Sequence, residues 1–364
     1  MSTVRMGIIG CGAIAQVQHM PNLSALQDLF EVTCVCDISP GLSKWLAQEF
    51  HVPNHTTDPY QLLSSDAVDA VILCHADPKT ELAVAAFEAG KHVFIEKPMC
   101  FSLSEVDAIV EAQQKAGTIG QVGYMKVYDP AFELAQQEVG DPNQIRFVQV
   151  NHLHPSNELH LKQFRLTRFD DIPPEANEKR QTARQAALEG AVGPVSDKAS
   201  RAFFMLSGSM IHDLYGLRLL LGRPTAVVST EVWQDGRALT TILEYPSGAR
   251  CAATWIDLPN LWEFQETLEV YGDDKRVILS YPTGFSRGIL SSLEVHEVHS
   301  DGKHGVRHPF IDWESPFSRE LRHFHACITE NTPCRTPVAD ARHDIALIID
   351  ITRAYLEKQT VEHT

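Results

Sequence analysis

The sequence predicts an α/β protein, with a doubly wound parallel sheet at the N-terminus and a C-terminal α+β domain whose open sheet is mostly antiparallel. Three observations predict it. The first third alternates short apolar runs with amphipathic stretches, the pattern of strands wrapped by crossover helices. A glycine-rich turn follows the first apolar run directly. Beyond residue 225, strand-like runs succeed one another across short turn signals, as antiparallel strands do. At 364 residues the chain exceeds one comfortable core, so two domains are expected, 1–125 and 126–364.

Taken in order, the apolar runs at 4–9, 31–36, 70–74, 92–95 and 118–122 read as strands. Helical periodicity fills 13–26, 41–50, 79–89 and 103–116, the last with Ser104 as N-cap and Gly117 as its stop. From about Ala131 the character changes. Residues 155–200 are polar, rich in Arg, Lys, Glu and Gln, and read as an insertion that is either a lid contributing specificity or a solvated surface. Strands follow at 226–233, 239–245, 250–257, 267–271, 276–280 and 293–298, punctuated by turns such as Pro246-Ser247-Gly248 and Gly272-Asp273-Asp274. A final helix is expected over 339–356. Neither an internal repeat nor a low-complexity tract is present.

Charge excludes some partners. Lys plus Arg number 31 against 47 Asp plus Glu, a formal charge of −16, which repels phosphate backbones and anionic bilayers. No nucleic-acid or membrane partner is expected. The apolar run at 6–9 breaks at once into glycines, so it reads as neither a signal peptide nor an anchor. Eight scattered cysteines without a Cys-x-x-Cys pair suit reduced thiols in a cytoplasmic protein.

The turn after the first strand is Gly10-Cys11-Gly12-Ala13-Ile14-Ala15. Glycines there allow a tight turn and let backbone N–H groups approach a pyrophosphate at a helix N-terminus, while small Ala15 lets helix and strand pack closely. Gly10, Gly12, Ala13 and Ile14 are thus candidate cofactor-binding residues of a Rossmann domain. Asp37 closes the second strand, where a ribose would sit. A carboxylate there accepts from the 2′ and 3′ hydroxyls and repels a 2′-phosphate, so NAD is the expected cofactor rather than NADP.

The fifth run ends in Glu96-Lys97-Pro98, and ligands of open α/β sheets bind outside the carboxyl ends of the strands. An ammonium at Lys97 can hydrogen-bond a reacting oxygen beside a nicotinamide. A plain surface lysine paired with Glu96 is the alternative. Residues 10–15, the run Ala89-Gly90-Lys91-His92-Val93-Phe94-Ile95-Glu96-Lys97-Pro98, and Gly123-Tyr124-Met125-Lys126-Val127-Tyr128-Asp129-Pro130-Ala131-Phe132 together resemble the Gfo/Idh/MocA oxidoreductase family. The likeness extends to Leu219 through Pro224 and to Ser315 through Pro337, leaving out about 155–200.

That resemblance implies a Rossmann domain over 1–125 and an α/β domain over 126–364 that binds substrate and supports oligomers, a dimer or tetramer. It implies substrate in the cleft between domains, Lys97 as the catalytic lysine, and Glu96, Cys74 and His75 at the cofactor. Its second catalytic feature is an Asp followed four residues later by a His on one helix face. Anchored on Leu220-Leu221-Gly222, the histidine is His212, the expected proton acceptor, and Gly208 stands where the aspartate belongs. Asp213 points roughly 100° away from His212 on a helix and is a poor substitute. Two further departures are Cys74-His75 where the family tends to have Thr-Pro, and Lys79 where a histidine is usual.

The implied substrate is a sugar, cyclitol or related polyol. Such a ring presents hydroxyls at its edge and C–H groups on its faces, so hydrogen-bonding side chains should surround it. Candidates are Tyr124, Lys126, His154, Arg165 and His212, with His152, His160 and Lys162 nearby in sequence. Trp255 and Trp262 read as sheet core rather than as stacking platforms. His152-x-His154 could be a metal pair, but hydride transfer from an alcohol needs no metal when Lys97 polarises the oxygen, and none is expected. The function expected is an NAD-dependent oxidoreductase acting on CH–OH groups. Two alternatives stay open: a redox-neutral NAD-dependent glycosidase acting by transient sugar oxidation and elimination, and a non-catalytic NAD-binding regulator.

Overall fold

In a computed structural model, which describes residues 2–362, the apolar runs of the first third form a six-stranded parallel sheet. Its strands are β1 (Val4–Ile9), β2 (Phe30–Cys36), β3 (Asn54–Thr56), β4 (Ala70–Leu73), β5 (His92–Glu96) and β6 (Gly120–Gly123), in the order β3-β2-β1-β4-β5-β6. Every neighbouring pair is parallel. The chain winds outward in one direction from β1 and returns in the other through β4, so the strand order reverses between β1 and β4. Ligands of such sheets bind at that reversal, outside the carboxyl ends. In this sheet the strand that the sequence did not predict is β3, a short polar edge with no apolar run to betray it.

Crossovers are made by α1 (Met20–Ala25), entered through a π-helical turn at Ala15–His19, and by α2 (Pro40–Glu49), α3 (Pro59–Leu63), α4 (Thr80–Glu88) and α5 (Leu103–Ala116). The cap of α5 is Ser102, not Ser104. Ser102 Oγ accepts the Glu105 N–H at 3.3 Å while the Glu105 carboxylate accepts the Ser102 N–H at 2.9 Å, the reciprocal box that the Ser-x-x-Glu spacing favours. Gly117 ends the helix at φ 66°, a left-handed cap that favours glycine. Met6, Ile8, Ile72 and Phe94 are fully buried in the sheet's core, each worth about 1.5–3 kcal/mol relative to exposure.

The remaining elements are α6 (Pro130–Val139), β7 (Phe147–His154), α7 (Asn157–Leu161), α8 (Pro174–Val192), α9 (Asp197–Met205), α10 (Ile211–Leu221), then β8 (Ala226–Trp233), β9 (Ala238–Glu244), β10 (Arg250–Asp257), β11 (Gln265–Tyr271), β12 (Lys275–Tyr281), β13 (Ser292–Val298), β14 (His304–Arg307), α11 (Pro316–Glu330) and α12 (Arg342–Glu362). The strands make an eight-stranded sheet, β14-β13-β12-β11-β7-β10-β9-β8, antiparallel except for the β7–β10 pair. Residues β7 contributes alternate cleanly, with Val148, Val150 and His152 buried.

Two compact units result, the first Met1–Tyr124 with Gln163–Gly193 and Phe317–Ile345, the second Met125–Lys162 with Pro194–Pro316 and Ala346–Thr364. This partition differs from a single division at 125/126, because two later stretches fold with the N-terminal sheet. Residues 336–338 run along β6, where Val122 N–H donates to Thr336 O at 2.8 Å, and Leu321 and Phe324 of α11 join the sheet's core. Among the described residues no helix is long and apolar enough to cross a membrane.

Candidate active site

The glycine turn leaves β1 with Gly10 at φ 97°, a conformation L side chains rarely adopt, and a methyl group there would collide with the His75 backbone. Gly12 is exposed and a Cβ on it would touch nothing within 4 Å, so the turn presents open backbone at a helix start, as an approaching pyrophosphate requires. Asp37 is locked beside it. Its Oδ2 accepts the Cys11 N–H at 2.7 Å and its Oδ1 the Ser39 N–H at 2.9 Å. Burial pushes the Asp37 carboxyl up, against these two bonds. Cys74 continues β4 with its N–H donating to Ile9 O at 2.7 Å, and burial lowers the His75 pKa to about 4, leaving a neutral ring. These residues fit a dinucleotide.

At the end of β5, Glu96 is buried and hydrogen-bonded at Oε1 to His19 Nε2 at 2.6 Å, while its Oε2 accepts the Lys97 N–H at 3.2 Å. Burial would raise the Glu96 carboxyl, but the His19 hydrogen bond and the charges of His19, Lys97 and Lys79 outweigh it and hold the group low. Lys97 itself is half-buried. Lys79, the departure from the family's usual histidine, is 3% exposed; it pairs with Asp77 and donates to Pro98 O at 3.3 Å, tying the loop after β4 to the Glu-Lys-Pro corner.

Below this corner lies a group that sequence reading missed. Glu320 of α11 is fully buried and neither carboxyl oxygen has a hydrogen-bond partner among the described residues. Burial, and then the charge of Glu96, push its carboxyl well above the ordinary range. The folded protein therefore holds a proton that the unfolded chain releases near pH ~4.3. Stability from this group is complete below that pH and is lost as pH rises toward the raised folded value. Glu320→Gln removes the charge, so between pH 5 and 8 its melting temperature should decline less with rising pH than the wild type's. Identical slopes in both proteins would show that Glu320 does not titrate this way.

The second unit holds a buried polar chain. Lys126, His152, Asp213 and Glu266 are each 3% exposed or less. Lys126 Nζ pairs with Glu266 Oε2, Asp213 Oδ2 meets His152 Nδ1 at 2.7 Å, and His152 Nε2 meets His154 Nδ1 at 3.1 Å. Burial pushes the Glu266 carboxyl up, opposed by Lys126. His152, Asp213 and Glu266 offer three ligand atoms within 4.8 Å of one another, but the Lys126 ammonium already supplies positive charge there. Trp255 is buried in the second sheet, as expected of core, and is also tied to the polar chain: His154 stacks on it at 5.7 Å and its Nε1 donates to Ser209 Oγ at 2.9 Å. His212 begins α10 after a π turn at Leu206–Met210, and its Nδ1 lies 2.7 Å from Tyr215 Oη.

Comparison with known proteins decides the family. Residues 4–124 match the oxidoreductase family with an NAD-binding Rossmann fold. That stretch is the NAD-binding Rossmann part of the Gfo/Idh/MocA family. One relative is the scyllo-inositol 2-dehydrogenase (NAD(+)) of Bacillus subtilis, 32% identical over 145 residues, or 38% of this chain and 42% of that protein. The chain thus matches less than half the length of that relative. Two solved structures share the fold over 98% or 97% of this chain and 98% of theirs: a levoglucosan dehydrogenase in complex with NADH, at TM-score 0.75 and 17% identity, and a 3-ketoreductase of Actinomadura kijaniata in complex with TDP-benzene and NADP, at TM-score 0.71 and 18% identity.

Within this matched stretch the structure gathers Gly10, Gly12, Ala13, Ile14, Asp37, Cys74, His75, Glu96 and Lys97 on one carboxyl edge of the parallel sheet. It brings Lys126, His152 and His154 together in the second unit, with Glu266, absent from the sequence reading, and Asp213, weighed there only as a partner for His212. Arg165 is exposed and folds with the first unit, and His160 is turned to Trp262 O at 2.8 Å. Tyr124 is 2% exposed and packs within the first unit, while Trp262 is 74% exposed and is not sheet core.

Proposed function

We propose that the protein is an NAD-dependent oxidoreductase transferring a hydride between the nicotinamide and a hydroxyl-bearing carbon of a sugar, cyclitol or related polyol. One observation carries the reading. The open glycine turn, the locked Asp37 and the Glu96-Lys97 corner end β1, β2 and β5, at one edge of one sheet where the strand order reverses. Bound there, the nicotinamide would accept or return the hydride. Lys97 hydrogen-bonds the reacting oxygen and stabilises its developing negative charge, and His212 takes the proton. Lys126 and the Asp213–His152–His154 chain provide donors and acceptors for the hydroxyl groups. The reading includes a homo-oligomer, supported by Phe310 and Trp313, which stand 79% and 84% exposed.

A panel of polyols, aldoses and glycosides assayed with NAD, following NADH and released aglycone, tests this. NADH is expected in proportion to product. Aglycone release without net NADH would overturn it in favour of redox-neutral cleavage, and tight NAD binding without turnover in favour of a regulator. The cofactor preference has its own test. NAD should bind at least tenfold tighter than NADP by calorimetric titration, because Asp37 would face the 2′-phosphate at short range. Equal affinities would remove Asp37 from the ribose site.

A further inference from the structure

The polar stretch after β7 contains a strap. Between α7 and α8, residues 167–171 lie against the first unit at both ends of its glycine turn and second strand. At one end Gln16, on the helix that follows the turn, exchanges two hydrogen bonds with the Thr167 backbone: Gln16 Nε2 donates to Thr167 O at 3.0 Å and Thr167 N–H donates to Gln16 Oε1 at 3.0 Å. Gln16 Nε2 also donates to Cys11 O at 2.9 Å, inside the glycine turn itself. At the other end, Asp171 reaches the start of α2. Ser39, the N-cap of α2, donates its hydroxyl to Asp171 Oδ1, and Gly41 N–H donates to Asp171 Oδ2 at 2.7 Å. Phe169 lies flush on the same spot, since a Cβ on Gly41 would stand 2.5 Å from its ring and 2.8 Å from Asp171 Oδ2. Farther along, Arg184 of α8 stands 6.0 Å over the Phe101 ring.

Position gives these contacts their meaning. Asp37 and Ser39 are two residues apart, and Asp37 takes the Ser39 N–H while Asp171 takes the Ser39 hydroxyl. A dinucleotide's adenosine ribose would meet Asp37, and a 2′-phosphate on it would need hydroxyl and N–H donors just past the second strand. Those donors are already satisfied by a carboxylate from 132 residues away. Its charge also reaches Asp37, adding to the burial that raises that carboxyl.

We propose that Asp171 is a second cofactor-specificity residue: the strap at 167–171 seats its carboxylate on Ser39 and Gly41 and so fills, with like charge, the place a 2′-phosphate would take. The proposal rests on the dinucleotide reading of the first unit. Asp37 discriminates at the ribose hydroxyls, while Asp171 withdraws the donors and supplies the repulsion. NAD, which carries a bare 2′-hydroxyl, is untouched by it.

Full-length wild type, Asp171→Ala and Gly41→Ala are titrated with NAD and NADP, and with 5′-AMP and adenosine 2′,5′-bisphosphate as probes of the adenosine end alone. Gly41→Ala keeps the charge of Asp171 but pushes the strap off, and alanine suits the helix it enters. Both variants should bind NADP and the bisphosphate about tenfold tighter than wild type does, with NAD and 5′-AMP within about threefold, the NAD arm also reporting a folded first unit. Wild type that prefers NAD, with variants that bind NAD normally and gain nothing for NADP or the bisphosphate, would overturn the role of Asp171 alone. Wild type that binds neither dinucleotide would overturn the dinucleotide reading and the proposal with it.

Discussion

Replacing Lys97 by alanine should lower turnover about a hundredfold or more while dinucleotide affinity stays within a few-fold of wild type. The expectation follows from where the chain spends its contacts. The groups that fit a dinucleotide are backbone at Gly10 and Gly12 and the carboxylate of Asp37, none of which depends on the Lys97 side chain. The Lys97 backbone is fixed by its N–H to Glu96 Oε2 at 3.2 Å, and Glu96 in turn by His19 at 2.6 Å, so the alanine variant keeps the corner's geometry and loses only the ammonium. An interaction that strengthens as negative charge grows on the substrate oxygen affects turnover far more than substrate affinity. Steady-state kinetics beside calorimetry of NAD binding separates the two. Near-normal turnover would place Lys97 outside the reaction centre, as the surface lysine that remained the alternative in its sequence.

What could be read from the sequence and what could not divide along one line, the range over which the determining contact acts. The glycine turn, Asp37 and Lys97 were legible because each is set by a strand end and the residues beside it, so a local pattern also fixes their edge of the sheet. Gly117 was legible as a stop for the same reason. Ser102 is legible in principle, because Glu105 stands three residues on, although Ser104 lies nearer the helical run. β7 alternates as a strand should, yet it pairs parallel to β10, about a hundred residues later, and no turn signal announces such a pairing. The contacts that escaped are likewise non-local. Asp213 looked like a failed partner for His212, its neighbour, and serves His152, 61 residues back. Asp171 lies in a stretch whose composition says only that it is polar, and its two partners belong to the second crossover of the parallel sheet. Glu320 sits on a helix far along the chain whose buried face gives no hint that one carboxyl lies in it.

Replacing His212 by asparagine should likewise cost about a hundredfold or more in turnover, with Tyr215→Phe costing less, about tenfold, and displacing the pH profile. The family resemblance places a carboxylate four residues before the histidine; here that position is Gly208, inside the π turn, where a Cβ would meet nothing within 4 Å. A phenol meets the imidazole, with Tyr215 Oη 2.7 Å from His212 Nδ1. Tyr215 is fully buried and its Oη accepts the Lys126 N–H at 3.3 Å, so the phenol is held still and can fix the ring's orientation. A phenol hydroxyl can orient the imidazole without giving a protonated ring the charge that a carboxylate would. Asparagine has an amide that can still meet Tyr215 but cannot take up a proton, so the variant isolates the proton-accepting step from the packing. The acidic limb of the pH–rate profile, where a proton acceptor becomes protonated and inactive, should vanish in His212→Asn, and in Tyr215→Phe it should remain at a shifted position with a changed kcat and little change in KM. If His212→Asn turns over normally, the proton leaves by the other histidine chain of this unit. In that case His152→Asn, which breaks the 2.7 Å contact to Asp213 and the 3.1 Å contact to His154, takes the hundredfold loss in its place.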